Sequence, residues 1–276
     1  MIEKGKNFRV WLTGILVFAA GMAAGALWDL PLNHALYAPG FYPALFMECF
    51  GYYPLYLPAL LWLWLTGPEK PGLRVAARIG CLVGAGALFA VSVSNLQKRQ
   101  VTSAIWHAAA VWLILVVLGV WLARVLRGKG PQLCRRLHTD MGWAVIYMIL
   151  NNVIIQLLKR VWDRTRFDDM LAAGDFGAFT SWFEPFGNGG SSFPSGHTAA
   201  ACGIFALVFV CDALPSWNRH RKLVWAVCWA YVAGMAVSRL IMGRHFLSDT
   251  VAAAFFMSLL LWAMRKSKVY QKSIAQ

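Results

Sequence analysis

Apolar runs of about 20 residues recur along the whole chain, separated by short polar stretches. No other sequence feature limits the possible folds as strongly. A run of that length crosses a bilayer core of roughly 30 Å as a helix. Within lipid every backbone N–H and C=O must be satisfied internally, which leaves helices or closed barrels. A barrel would show alternating apolar and polar residues, and that pattern is absent. Composition agrees: 59% of the 276 residues are hydrophobic and 14% are charged, against about 25% charged in soluble domains. The expected fold is an all-α, polytopic helical membrane protein, one membrane domain over residues 1–276.

Eight spans are predicted, at residues 8–28, 44–66, 75–96, 104–126, 141–158, 194–214, 223–242 and 246–264. Residues 29–43 read as a loop, with Pro31, Pro39 and Pro43. Pro54 and Pro58 predict a kink or break near the start of the second span. The first span is long, and no small-residue cleavage site clearly follows it, so it reads as retained rather than as a signal peptide. Its Gly21 and Gly25 form a Gly-x-x-x-Gly pair that allows close helix contact, a weak sign of dimerisation. The six cysteines show no zinc or disulfide spacing and read as small packing residues.

The net charge of +14 does not imply nucleic acid as a partner. The basic residues lie in short clusters between apolar runs, not on one stripe of a soluble module. Lys98, Arg99, Lys159, Arg160, Arg164, Arg166, Arg239 and Arg244 fall on one side of the predicted membrane, and the other 18 of the 26 Lys and Arg on the opposite side. Cytoplasmic loops carry the excess of Lys and Arg. Both termini are therefore expected in the cytoplasm. If the hairpin at Gln97 does not cross, the spans number six, and the sides stay the same.

Six of those eight cations belong to three polar stretches that interrupt the last third of the chain. In the third stretch, His245 and Asp249 are four residues apart and share a face on a helix. A carboxylate beside an imidazole fixes its tautomer and leaves the other nitrogen free to attack. Arg239 lies close upstream. In the second, Pro194-Ser195-Gly196-His197 opens a helix, whose free N–H groups suit phosphate. Gly196 lets the backbone approach closely, Ser195 either caps the helix or bonds an oxygen, and His197 is positioned to protonate a leaving oxygen. In the first, Lys159 and Arg166 come to one side of a helix end, where they could clamp phosphate oxygens. The plain alternatives are an interfacial His–Asp pair, a helix cap with a surface His, and a basic anchor at the headgroups. Arg160 and Arg164 read as headgroup or loop contacts. Asp163, Asp168, Asp169 and Asp175 read as loop solvation or helix caps.

Together the stretches supply what phosphoryl transfer needs: cations for the equatorial oxygens, an in-line nucleophile and a proton donor. No carboxylate cluster suited to Mg²⁺ accompanies them, so a route through phosphohistidine without metal or other cofactor is the simplest.

These stretches resemble the three signature motifs of the type 2 phosphatidic acid phosphatase superfamily. The first, Lys, six residues, Arg-Pro, reads Lys159 to Arg166 followed by Phe167 in place of proline. The second, Pro-Ser-Gly-His, is matched at Pro194 to His197. The third is matched by Ser238, Arg239, Gly243, His245 and Asp249. The resemblance implies a catalytic core over residues 150–260, with residues 1–139 as additional N-terminal spans. It implies His245 as nucleophile, Asp249 as its orienting partner and His197 as general acid, with Lys159, Arg166, Ser195, Gly196 and Arg239 on phosphate. It implies a metal-independent phosphatase acting on a lipid phosphate or polyprenyl diphosphate in the bilayer; the count of Lys and Arg puts its site on the extracytoplasmic face of the cell membrane. Phe176, Phe179, Trp182, Phe183 and Phe186 either meet lipid headgroups beside the site or pack the loop. Transfer of the phosphate to another lipid, or hydrolysis of a sugar phosphate as in the glucose-6-phosphatase branch, are the alternatives.

Overall fold

In a computed structural model of the chain, residues 2–65, 71–127, 131–185 and 189–274 are described. They form helices α1 (Ile2–Leu36), α2 (Tyr42–Phe50), α3 (Tyr53–Leu65), α4 (Pro71–Lys98), α5 (Ala104–Arg127) and α6 (Pro131–Trp162). These are followed by α7 (Phe167–Ala173), α8 (Gly196–Ala201), α9 (Ala206–Ala213), α10 (Pro215–Asn218), α11 (Arg221–Ile241), α12 (Leu247–Lys266) and α13 (Lys268–Ile274). Among the described residues seven helical segments are long and apolar enough to cross a membrane. The protein is a polytopic helical membrane protein. The predicted sixth span is instead the shorter apolar segment Gly196–Asp212, about 25 Å long. A 3₁₀ turn at Cys202–Phe205 divides it into α8 and α9. There Gly203 lies so close to α3 that a Cβ on it would come within 2.2 Å of Leu55 Cα.

The second span breaks where proline chemistry predicts. α2 ends at Phe50 and α3 resumes at Tyr53, just before Pro54. The last residue of that predicted span, Thr66, and residues 67–70 of the turn after it lie outside the described residues. Other boundaries differ. Residues 29–36 are not loop: α1 runs through Pro31 to Leu36, because Asp29 and Asn33 are both buried and bonded to distant segments. α6 begins at Pro131, ten residues before the predicted span. The stretch between the predicted spans at 141–158 and 194–214 contains α7, whose end is a left-handed Gly174 (φ 68°), and a 3₁₀ turn at Phe176–Ala178.

α1 packs along α12, and Gly21 and Gly25 serve that contact. A Cβ on Gly21 would meet Val251 Cγ1 at 2.9 Å, and one on Gly25 would meet Ser248 Cβ at 2.6 Å. This glycine face is therefore filled within the chain. α6 holds the centre: Tyr147 donates to the Met257 carbonyl of α12 (3.2 Å) and Asn151 to the Ala199 carbonyl of α8 (2.8 Å). At one end of the bundle Asp212 accepts from Arg221, Arg265 and Tyr270. The three polar stretches meet at the other end, and Arg99 joins them there. Cys49, Cys81, Cys202, Cys211 and Cys228 are free and buried, as expected of packing residues; the Cys134 side chain lies outside the described residues.

Candidate active site

The backbone ties the three stretches together. The Ser192 N–H donates to the Arg164 carbonyl (2.8 Å), and the Ser195 N–H donates to the Asp249 carbonyl (2.9 Å). His245 does not lie on a helix with Asp249. It precedes α12, whose first turn holds Asp249, yet the two side chains still approach.

His245 is 3% exposed. Its Nδ1 lies 2.7 Å from the Ser192 carbonyl and 3.6 Å from Asp249 Oδ2. A carbonyl only accepts, so Nδ1 carries the hydrogen and Nε2 keeps its lone pair. The nearer orienting group is thus a backbone carbonyl from the loop before the second motif. Asp249 stands further off as an ion-pair partner. Its carboxylate accepts from Arg164 Nη1 (2.7 Å), the Ser192 hydroxyl (2.5 Å) and the Phe246 N–H (2.8 Å). It thereby holds the Ser192 loop and caps α12 at the same time. Burial pushes the His245 imidazole down to about 4; Lys159 and Arg166 add to this and Asp249 opposes it.

Lys159 and Arg166 do meet, although not along one helix, since α6 ends at Trp162. The Lys159 ammonium donates to the Ser191 carbonyl, and Arg166 Nη2 to the Ser191 hydroxyl (2.7 Å). Arg166 Nε is buried without a hydrogen-bond partner among the described residues. The same holds for Nη1 and Nη2 of Arg239, a side chain with no exposed surface. Its nearest carboxylate is Glu48 Oε2 on α2, at 3.6 Å. Ser195 takes the capping role, accepting from the Thr198 N–H (3.2 Å) and donating to the Thr198 hydroxyl (2.9 Å). Gly196 faces Lys159: a Cβ there would sit 3.5 Å from Lys159 Cε. His197 is half-buried, edge-on to Tyr52 (ring centroids 6.0 Å apart), and within electrostatic range of Arg239, His245 and Lys159. Among the described residues no group of three or more His, Cys, Asp or Glu is placed to hold a metal ion.

Arg164 is a correction. It is neither a headgroup contact nor a surface residue but fully buried. It donates to the Thr180 carbonyl (2.7 Å), the Ser248 hydroxyl (2.9 Å), Asp249 (2.7 Å) and Asp29 (3.0 Å). Its guanidinium also lies over the Phe246 ring, 4.2 Å from the centroid. Asp29, Asn33 and Glu48 were missed from sequence. Asp29 accepts from the Ser248 N–H (3.0 Å), and Asn33 donates to the His245 carbonyl (3.2 Å). Glu48 accepts from Arg99 (3.0 Å) and faces Arg239 and Arg244. For Asp29 and Glu48 the available signal was a lone carboxylate in or beside an apolar run, which marks a functional position by default; Asn33 carried no such signal.

Phe167 begins α7, at the first helical position. That position suits proline because its N–H needs no partner within the helix, so phenylalanine and proline serve the same backbone. The Phe167 ring is buried among His34, Tyr37 and Phe176. The other loop aromatics mostly pack as well: Phe179 lies edge-on to Phe246, and Trp182 donates to the Met22 carbonyl (2.8 Å), while Phe183 stays 55% exposed. Phe186 lies outside the described residues. Of the loop acids, Asp175 caps the 3₁₀ turn, Asp163 accepts from the Gly189 N–H, and Asp168 pairs with Arg244 (2.9 Å), with Asp169 4.0 Å from the same arginine.

Residues 140–273 match the family described as the PAP2 superfamily. Those residues form a domain of that superfamily. It is also 24% identical over 182 residues to phosphatidylglycerophosphatase B of Bacillus subtilis (strain 168), across 64% of this chain and 78% of that protein. No solved structure matches it. The matched region contains all three polar stretches, whereas Asp29, Asn33 and Glu48 precede it.

Proposed function

We propose that this PAP2 protein hydrolyses a lipid phosphate or polyprenyl diphosphate through a phosphohistidine. The observation that carries the reading is the set of buried guanidinium donors on Arg166 and Arg239 that lack a hydrogen-bond partner among the described residues. A phosphoryl group has the oxygens to satisfy them. His245 Nε2 attacks phosphorus, the bond to the leaving oxygen breaks, and His197 gives that oxygen a proton. Water then attacks the phosphohistidine, His197 takes its proton, and inorganic phosphate leaves with His245 restored. Lys159, Arg166 and Arg239 hold the equatorial oxygens, aided by the N–H groups opening α8 at Gly196. No metal takes part. The excess of Lys and Arg in the loops at the other end supports a site on the extracytoplasmic face and both termini in the cytoplasm. The family's three motifs support a catalytic core at residues 150–260, to which residues 1–139 add further spans.

The test is phosphate release in detergent from undecaprenyl diphosphate, phosphatidylglycerol phosphate, phosphatidic acid and a sugar phosphate, with and without chelator. His245→Ala is expected to lower turnover by at least about 10³-fold. Unchanged release by that variant removes His245 as nucleophile, and loss of wild-type activity with chelator removes the metal-free route.

A further inference from the structure

A cleft of about 690 Å³ runs between α3, α4 and α6 and ends on the first turn of α8. Its lining is ordered along its length. Tyr52, Asn95, Gln156 and His197 stand at the candidate active site, and Leu63, Gly80 and Met148 at the far end. α3 leads away from the site while α4 and α6 lead towards it, so the three sets agree. From Gly80 to Asn95 the α4 wall rises about 22 Å. Small residues keep α4 close to α3: a Cβ on Gly84 would meet Leu60 Cδ2 at 3.0 Å, and one on Gly80 would meet Leu63 Cδ1 at 3.9 Å. Val91, on the lining of the cleft, is 47% exposed on the bundle's apolar exterior. The cleft falls within the 300–1,000 Å³ of small-molecule sites. Its α3 and α4 walls precede residue 140, outside the region matched to the superfamily.

The geometry points to this cleft as the seat of one hydrocarbon chain of the substrate, lying along α4 while its phosphate is held between His245 and His197. This rests on the lipid phosphatase reading above and adds what that reading lacks, a place for the chain. Three features select a hydrocarbon chain as occupant. The walls are mostly apolar, the polar residues gather at the end where the headgroup sits, and the cleft is continuous with His197 and Gly196. A chain in it exchanges lipid contacts for protein contacts, so the cleft discriminates by length and shape.

The test compares two substrates with the same phosphate head, one with a chain of about four to six carbons and one long enough to pass Ala87, about 12 Å from Asn95 along α4. Ala87→Trp, on α4, and Ala59→Phe, on the facing α3 wall, each place a large ring in the cleft. The expected result is that the ratio of kcat/KM for long over short chain falls about tenfold or more in each variant, within the range a hydrophobic pocket can discriminate. The second variant decides the matter if the first does not fold. An unchanged ratio in the folded variants overturns the cleft as the chain site while leaving the phosphatase reading intact. A wild-type protein that releases phosphate from neither substrate overturns the phosphatase reading itself, and the cleft assignment with it.

Discussion

Arg164 and Arg239 are both fully buried in the same end of the bundle, and the fold treats them in opposite ways. Around Arg164, donors and acceptors match: two carboxylates, a hydroxyl and a carbonyl take its hydrogens, and an aromatic ring covers its face. Around Arg239 they do not match. Glu48 stands 3.6 Å away, Ser238 Oγ is 3.4 Å from Nε, and both terminal nitrogens lack a hydrogen-bond partner among the described residues. Burying a cation costs several kcal/mol, and pairing offsets that cost. Glu48 offsets part of that cost as an ion pair but takes no hydrogen bond from Arg239. Matched donors suit Arg164 to holding the site together, and the donors left over on Arg239 are those that the proposed phosphate would take.

The sharpest break of this contrast is Arg164→Ala. It strands Asp29 and Asp249 as buried charges and should destabilise the protein by about 3–5 kcal/mol, read by unfolding in detergent. Arg164→Lys should recover only part, because an ammonium cannot reproduce the planar fork. Arg239→Ala should do the reverse: thermal midpoint held or raised, kcat/KM lowered about 100- to 1,000-fold. Equal destabilisation by the two alanine variants would erase the distinction.

Phe167→Pro probes the same loop from the other side. Loss of a ring that is 1% exposed should outweigh the gain from proline at the first helical position. A net loss of about 2 kcal/mol is expected, with kcat/KM within about threefold, since the backbone there already suits proline.

The smallest effect lies in acid. The His245 imidazole is held down to about 4, so Nε2 stays unprotonated from pH 7 down to that region. The acid limb of kcat/KM should therefore lie well below the ordinary histidine value of 6.5. Below pH 6.5 the unfolded chain binds a proton that folded His245 refuses, so this residue's contribution to stability falls as pH drops from 6.5 towards 4 and levels off below. Arg166→Gln removes one of the cations that depress it and should move the limb upward, whereas a limb fixed at 6.5 would show that His245 titrates freely.

Much of this was readable beforehand. Apolar runs located most of the helices, and Pro54 marked the break between α2 and α3. Charge counting put Arg99 on the side of the motifs, and it meets Arg239 and Arg244 at Glu48. The expected site residues were brought to one end of the bundle. The misses share a cause. Asp29 acts on Ser248 across 219 residues, and Asn33 acts on His245 across 212. Local periodicity carries no information about such partners, and the same contacts carried α1 eight residues past its predicted end. Gly21 and Gly25 could mark a helix interface but could not say that α12 is the partner.

The sequence by itself determined a polytopic helical protein, the three polar stretches and the chemistry their residue types permit. Those follow from bilayer thickness, side-chain chemistry and spacing, all of which are local. Tertiary structure alone decided that Ser192 orients His245 while Asp249 braces the loop, and that Arg164 is matched while Arg239 is not. Hydrogen-bond satisfaction depends on which distant segments are folded into reach, and spacing along the chain does not encode it.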